Sequence, residues 1–188
     1  MPIVLASASP RRQELLKKAG INFEVKPANI PEIQREGESP RAFGKRMAIE
    51  KARSVGSRHG YNLVLGADTV VVVDRETLGK PQNAQDAARM LRLLSGRAHQ
   101  VVTGVCLLGQ DFEDVRSEET IVYFSALTAE EIEEYIATGE PMDKAGAYAI
   151  QGVASRWITK IEGDYSNVVG LPVQLVLRML REHGAVGS

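Results

Sequence analysis

The apolar run Leu63–Val73 is interrupted by one carboxylate, that of Asp68. A run this rich in Val and Leu predicts a strand that is buried on both faces. An aspartate inside it must be paired, protonated or bound to a metal, because an isolated buried charge is very costly. Gly66 and Ala67 leave room beside it for a close approach. Asp68 is therefore either a catalytic or metal-binding carboxylate at a strand end, on the floor of a cleft, or the cap of a turn between two strands.

The hydrophobic and polar pattern of the other segments predicts strands and helices in alternation. Further strands are predicted at Ile3–Ala6, Phe23–Lys26, His99–Leu108, Thr120–Phe124, Tyr148–Gln151 and Trp157–Ile161. Helices are predicted from Pro10 to about Ala19, from Pro40 to near Gly60, after Asn83 until Gly96, from Thr128 to about Ala137, and through Leu175 to Gly184. Polar turns are predicted at Asp74–Thr77 and Gln110–Ser117. This alternation predicts one α/β domain over residues 1–188.

The first predicted strand leads into a helix through a loop that carries Ser7, Ser9, Arg11 and Arg12. Ser9 suits the N-cap and Pro10 the first helical position. Backbone N–H groups and the positive end of the helix dipole meet at this loop, and arginine forks match pairs of phosphate oxygens. We interpret the loop as an anion site; the alternative is a well-capped helix with two solvated arginines.

The composition excludes several classes of protein. The chain has 188 residues and a formal net charge of −1, which argues against a general nucleic-acid or membrane-surface binder. No apolar stretch reaches transmembrane length, and Met1–Ser9 is too short for a signal peptide. The single cysteine, Cys106, lies in an apolar run and suits the core. We therefore expect a cytoplasmic protein.

Several lysines and arginines could bind phosphate, and their spacing does not show which of them do. Lys80 lies in a constrained loop between a glycine and a proline, where it points either at a phosphate or at water. The helix predicted after Pro40 is basic, with Lys45, Arg46, Lys51 and Arg53, most of which are expected to be solvated.

Seven motifs resemble, in order and spacing, those of the Maf family of nucleoside triphosphate pyrophosphatases. They are Leu5–Arg12, Gly66–Val71, Leu78–Pro81, Leu94–Arg97, His99 with Thr103–Val105, Asp143–Tyr148 with Ile150–Gly152, and Asn167–Pro172. The resemblance covers nearly the whole chain. It implies an ITPase-like α/β fold, with a long mixed sheet and two lobes around a nucleotide-binding cleft.

The resemblance also implies an activity and a site. The expected reaction is hydrolysis of a nucleoside triphosphate between the α- and β-phosphates, with a divalent cation (Mg²⁺ or Mn²⁺) and a homodimer. Asp68 matches the family's proton acceptor, and Ser7–Arg12 matches its phosphate-binding loop. Glu32 matches a metal- or water-associated glutamate, and Lys51 and Lys80 match phosphate-facing lysines.

The chemistry of the residues agrees with this expectation. A triphosphate needs cations and backbone donors, which Arg11, Arg12, Lys51, Lys80 and the helix N-terminus can supply. The nucleophile is expected to be a water activated by a carboxylate, with a metal lowering its pKa. Asp68 and Glu32 are the candidates for holding metal and water; whether Asp68 acts as base or as ligand stays open.

Three positions bear on the choice of base. Arg12, Thr69 and Gln151 resemble the family branch that acts on dTTP and UTP, whereas the branch acting on 7-methyl-GTP carries an acid in place of the glutamine. A glutamine amide offers a donor and an acceptor, which match the N3–H and a carbonyl of uracil or thymine. The alternative is that Gln151 only satisfies local backbone groups.

A second class of function is a nucleotide-binding or regulatory interaction protein, because the family has also been linked with control of septum formation. The intact Asp68, Lys80 and arginine pair favour the enzyme.

Overall fold

Residues 2–59 and 63–186 are described by a computed structural model of the chain. Within them the chain forms seven strands: β1 Ile3–Leu5, β2 Phe23–Val25, β3 Leu63–Val73, β4 Glu76–Leu78, β5 Ala98–Gly109, β6 Glu113–Phe124 and β7 Ile158–Glu162. The six α-helices of the described part are α1 Pro10–Lys18, α2 Pro40–His59, α3 Ala84–Leu94, α4 Ala129–Ala137, α5 Tyr165–Val169 and α6 Val173–Glu182. The predicted α/β class is confirmed.

The strands form one mixed sheet in the order β2-β1-β3-β5-β6-β7, with β4 paired to β3. β1 lies parallel to both β2 and β3, so the connections to these neighbours cross over through α1 and α2. β4 is antiparallel to β3, and β7 to β6. The side chains of Ile3–Leu5 are all buried, as expected of a strand with parallel partners and covered faces.

The chain divides into two compact units. The first comprises the described residues of 2–69, 103–118 and 170–186. Ile3 and Leu5 belong to one of its apolar clusters, with residues of α1 and α6, while Val4 belongs to another, with residues of α2. Helices therefore cover both faces of β1. Cys106 is buried in the second cluster, where burial raises the pKa of its thiol to about 12, in agreement with the predicted core role.

The second unit comprises residues 70–102 and 119–169. Its core includes residues of α3 and α4 and an aromatic group around Phe124 and Trp157. His99 is buried there, with Nε2 2.7 Å from the Tyr148 hydroxyl, and burial lowers its pKa to about 4. His99 is thus a neutral core residue of this unit.

Most predicted elements appear close to their expected bounds, and three helix starts are capped as predicted. Ser9 accepts from the Arg12 N–H, Asn83 from the Asp86 N–H, and Thr128 forms a capping box with Glu131. The predicted end of the second helix near Gly60 lies outside the described residues. No helix of the described segments is long and apolar enough to cross a membrane.

Two predictions of local structure were wrong, and two short elements, β4 and α5, were not predicted. Asp74 and Arg75 adopt positive φ and form a tight hairpin into β4, where only a turn was expected. β6 begins at Glu113, so only the first part of the predicted polar turn is a turn. Tyr148–Gln151 is not a strand, because it ends in a turn followed by a short 3-10 helix. The short helix α5 was not predicted.

Candidate active site

Two carboxylates meet one ammonium group in the first unit. The Nζ of Lys51, on α2, lies 2.7 Å from Asp68 Oδ1, on β3, and 2.8 Å from Glu32 Oε1, in the loop before α2. Asp68 and Lys51 are 6% and 8% exposed, whereas the side chain of Glu32 is 46% exposed. The group therefore consists of a buried ion pair, Asp68 and Lys51, and of the carboxylate of Glu32, which is open to solvent.

The strand places Asp68 differently from either interpretation of its sequence. Asp68 is in the middle of β3, which runs without a break from Leu63 to Val73. It is neither at a strand end nor the cap of a turn, and both of these expectations were wrong. Its charge is matched by Lys51, which the buried position requires.

Glycines bring α2 close enough to the sheet for that contact. A Cβ added to Gly66 would lie 2.1 Å from the Ala48 carbonyl oxygen, and one added to Gly104 would lie 2.3 Å from the carbonyl oxygen of Gly44. The space beside Asp68 predicted from Gly66 is thus filled by the backbone of α2. The placement of Lys51 follows from this close packing, since it lies about one turn beyond Ala48 on the same helix.

Burial raises the pKa of Asp68 above that of an ordinary aspartate, and the charges of Lys51 and Arg12 oppose the shift. A carboxylate with a raised pKa is a stronger base than an exposed one. It also remains paired, because the Lys51 ammonium lies within hydrogen-bond distance. These two properties suit a general base.

The hydroxyl groups of Ser7 and Ser9 stabilise the predicted anion-binding loop through hydrogen bonds within it. The hydroxyl of Ser7 accepts hydrogen bonds from the Ser9 N–H and from Arg12 Nη1, both at 3.2 Å. Ser9 caps α1, and Pro10 occupies the first turn as predicted. Arg11, next along the helix, is partly exposed.

Arg12 lies in a buried network. Its Nε donates to the Gly170 carbonyl at 2.7 Å, and its Nη2 donates to Thr69 Oγ1 at 3.0 Å. Thr69 Oγ1 is also 2.9 Å from the hydroxyl of Thr103 and donates to the Gly170 carbonyl at 3.2 Å. Two of the three predicted specificity positions, Arg12 and Thr69, therefore contact each other directly.

Gly170 and Thr103 are members of this network that the sequence did not single out individually. Gly170 has a φ of +140°, a conformation that favours glycine, and it lies 158 residues from the arginine to which it is bonded. The only sequence signal was that both fall within the family motifs.

Lys80 and Gln151 belong to the second unit, and both are exposed there. Lys80 follows Gly79, whose carbonyl accepts a hydrogen bond from the Gly146 N–H at 3.1 Å. Gln151 lies in the turn before Gly152. Their roles stay predictions.

The donor set suits a magnesium-like cation that is shared with a substrate. In the described part of the chain no three His, Cys, Asp or Glu side chains form a group able to hold a metal. Asp68 and Glu32 nevertheless both direct an oxygen at one cation, the Lys51 ammonium. Mg²⁺ is commonly bound by one or two carboxylates together with substrate phosphates. The pair thus fits a metal completed by a triphosphate.

The mixed sheet and its helices define the class of this protein, an α/β fold that is shared with a solved structure. The structure resembles that of the Ham1 protein of Staphylococcus aureus, with a TM-score of 0.52 and 12% sequence identity over 97% of this chain and 100% of the other. At that identity the likeness shows the shared α/β fold.

The chain belongs to the Maf family, whose model, described as "Maf-like protein", matches residues 2–183. A relative from Koribacter versatilis (strain Ellin345) is 54% identical over 186 residues, which are 99% of this chain and 96% of the relative. Another, from Symbiobacterium thermophilum, is 52% identical over 182 residues, which are 97% of this chain and 94% of the relative. Both relatives bear the name dTTP/UTP pyrophosphatase.

Proposed function

We propose that this protein is a nucleoside triphosphate pyrophosphatase that hydrolyses dTTP and UTP to the nucleoside monophosphate and pyrophosphate. Relatives of that name are about half identical to it over nearly their whole length. The observation in the structure that carries the proposal is Asp68, a buried carboxylate held 2.7 Å from Lys51.

Asp68 is proposed as the base. It takes a proton from a water whose oxygen bonds to the α-phosphorus; the bond from that phosphorus to the bridging oxygen breaks, and its electron pair leaves with pyrophosphate. Lys51, Arg11 and the start of α1 are proposed to bind phosphate oxygens, as is Lys80 by resemblance. A divalent cation, Mg²⁺ or Mn²⁺, held by Asp68 and Glu32 would neutralise phosphate charge and lower the pKa of water.

Arg12 is proposed to act by holding the phosphate loop together. Three of its five N–H donors already bond to Ser7, Thr69 and Gly170, which leaves two for a phosphate. The same bonds fix Thr69. This supports a role for the Arg12–Thr69 pair in shaping the base site, with Gln151 proposed to read the pyrimidine edge by its amide.

The experiment is a pyrophosphate-release assay with one Mg²⁺ concentration and a panel of UTP, dTTP, ATP, GTP and 7-methyl-GTP. The wild type is expected to prefer UTP and dTTP, because a site built on hydrogen bonds to one base edge rejects bases that leave buried groups unpaired. A mock preparation that lacks the protein serves as the blank for contaminating phosphatases. Equal rates on purines and pyrimidines, or preference for 7-methyl-GTP, would refute the substrate assignment.

The homodimer and the cytoplasmic location are proposed on the family resemblance alone. Light scattering of the purified protein at assay concentration tests the first, and fractionation of cells tests the second. A monomer that retains full activity would contradict the dimer.

A further inference from the structure

Arg46, on α2, donates hydrogen bonds to the loop before the helix and to Glu50. Its Nε and Nη2 donate to the two carboxylate oxygens of Glu38, at 2.6 and 2.8 Å. Nη2 also donates to the Ile33 carbonyl at 2.8 Å, and Nη1 to Glu50 at 3.0 Å. The side chains of Arg46 and Glu38 are only 17% and 11% exposed. Arg46 and Glu38 thus form a largely buried bidentate pair, the strongest form of arginine–carboxylate pairing.

The loop that Arg46 holds has no helix or strand of its own. Glu38 also accepts from the Arg35 N–H at 3.0 Å, and its own carbonyl accepts from Gln34 Nε2 at 2.7 Å. Ile33 and Glu38, the two ends of this segment, are therefore both bonded to Arg46. The segment is closed into a turn whose position is fixed from α2.

Glu32 directly precedes that turn. Its side chain is 46% exposed and lies 2.8 Å from Lys51. Holding an exposed glutamate in one position costs side-chain entropy. An anchor on the next residue reduces the conformations of the backbone from which Glu32 projects.

We propose that Arg46 is a positioning residue, which holds Ile33 and Glu38 so that Glu32 stays beside Lys51 and Asp68. The inference rests on the proposed function, since it concerns the carboxylate assigned there to the metal. Arg46 and Lys51 lie on one continuous helix, so the same element positions the lysine and the loop that faces it.

The contact between Arg46 and Glu38 does not act as a pH switch. The Arg46 hydrogen bond lowers the pKa of Glu38 to about 2, so the carboxylate remains ionised over the whole working range. Its function is therefore constant anchoring.

The chain supplies a matched control on the same helix. Arg53 forms a fork of the same geometry with Glu113, Nε to Oε2 at 2.7 Å and Nη2 to Oε1 at 2.8 Å, although its side chain is 62% exposed. This fork joins α2 to β6 and holds no loop of the site. Arg53→Gln removes a fork of this geometry from the same helix without touching the loop, and Glu38→Gln tests the buried pair with Arg46 from its other side.

The experiment compares wild type, Arg46→Gln, Glu38→Gln and Arg53→Gln in two assays. The first is the Mg²⁺ concentration that gives half-maximal UTP hydrolysis, repeated in a Glu32→Gln background. We expect Arg46→Gln and Glu38→Gln each to raise it about tenfold, the usual cost of losing a partner that orients a ligand. In the Glu32→Gln background the Arg46 substitution is expected to have no further effect. Arg53→Gln is expected to match wild type.

The second assay is hydrogen exchange of the backbone amides of residues 33–38, without nucleotide or metal. Faster exchange there in Arg46→Gln, but not in Arg53→Gln, is expected. Unchanged exchange, or an Arg46 effect that persists in full when Glu32 is already glutamine, overturns the inference. If the wild type does not hydrolyse UTP, the proposed function fails instead, and the exchange result still decides whether Arg46 anchors the loop.

Discussion

Lys51 Nζ lies 2.7 Å from Asp68 Oδ1, and both side chains are largely buried. The contact joins the middle of a helix to the middle of a strand. It explains how a carboxylate is tolerated inside an apolar β3, and it places the charge beside the open carboxylate of Glu32. The proposed catalysis depends on this contact, so substitutions at either partner are expected to change the activity.

Asp68→Asn is expected to fold and to lose about 100-fold or more in kcat, the usual contribution of a general base. Its thermal midpoint is expected to stay close to wild type, because burial already disfavours the charge of Asp68 and Lys51 retains Glu32 as a partner. Calorimetry and single-turnover hydrolysis of UTP measure the two effects. A folded variant with near-normal turnover would show that Asp68 is not the base.

Lys51→Met is expected to move the acid limb of the pH–rate profile to higher pH. Burial raises the pKa of Asp68 and the Lys51 charge lowers it, so removing Lys51 raises that pKa further. A raised folded-state pKa of an acid destabilises the fold as the pH rises through it. The variant is therefore expected to lose about 3 kcal/mol of unfolding free energy at neutral pH, and to regain part of it on acidification.

Urea unfolding at acidic and neutral pH measures this change in stability. Lys45→Met, which replaces a partly exposed lysine on the same helix, is the control and is expected to behave as wild type. An acid limb that stays in place in Lys51→Met would mean that the limb reports another group.

Gly104→Ala and Gly44→Ala are expected to have opposite effects, although the two glycines face each other. A Cβ added to Gly104 would lie 2.3 Å from the Gly44 carbonyl oxygen, which forces backbone apart and costs about 1–3 kcal/mol. A Cβ added to Gly44 would lie 3.6 Å from the Gly104 nitrogen, an ordinary contact, and favours the helix by up to about 1 kcal/mol. Chemical denaturation of both variants measures the difference. Equal stabilities would contradict the close packing of α2 on β5.

Gln151→Glu is expected to erode the preference for UTP over 7-methyl-GTP, because a carboxylate has no donor for a pyrimidine carbonyl. The ratio of kcat/KM for the two substrates is the measurement. Gln110→Glu, in the exposed turn between β5 and β6, adds the same charge elsewhere and controls for it. An unchanged ratio would support the local, backbone-satisfying role of Gln151.

Local features of the fold were predictable from the sequence. β3 has the predicted bounds, and the caps at Ser9, Asn83 and Thr128 are present, because a buried strand and a helix start each depend on adjacent residues. The start of β6 was missed because its first residues are polar and only partly buried, so no apolar pattern marks them.

The sequence identified individual residues of the site, but it did not predict which of them contact each other. Spacing could not separate Lys51 from Lys45, since both lie on one basic helix and only the packing of α2 on the sheet buries one of them. The bond from Arg12 to Gly170 joins positions that no local pattern relates. The anchoring contacts of Arg46 could not be predicted for the same reason, because the exposed loop it holds has the composition of solvated polar chain.

The core of the first unit joins residues that the ribosome synthesises at very different times. This core combines Ile3 and Leu5 with Leu171 and Leu180, and Arg12 bonds to Gly170. At about 5–20 residues per second, ribosomes need roughly 8–35 seconds between these two ends. For that interval Ile3 and Leu5 lack two of their apolar partners, so the core of the first unit is completed only when residues 171–180 have been made.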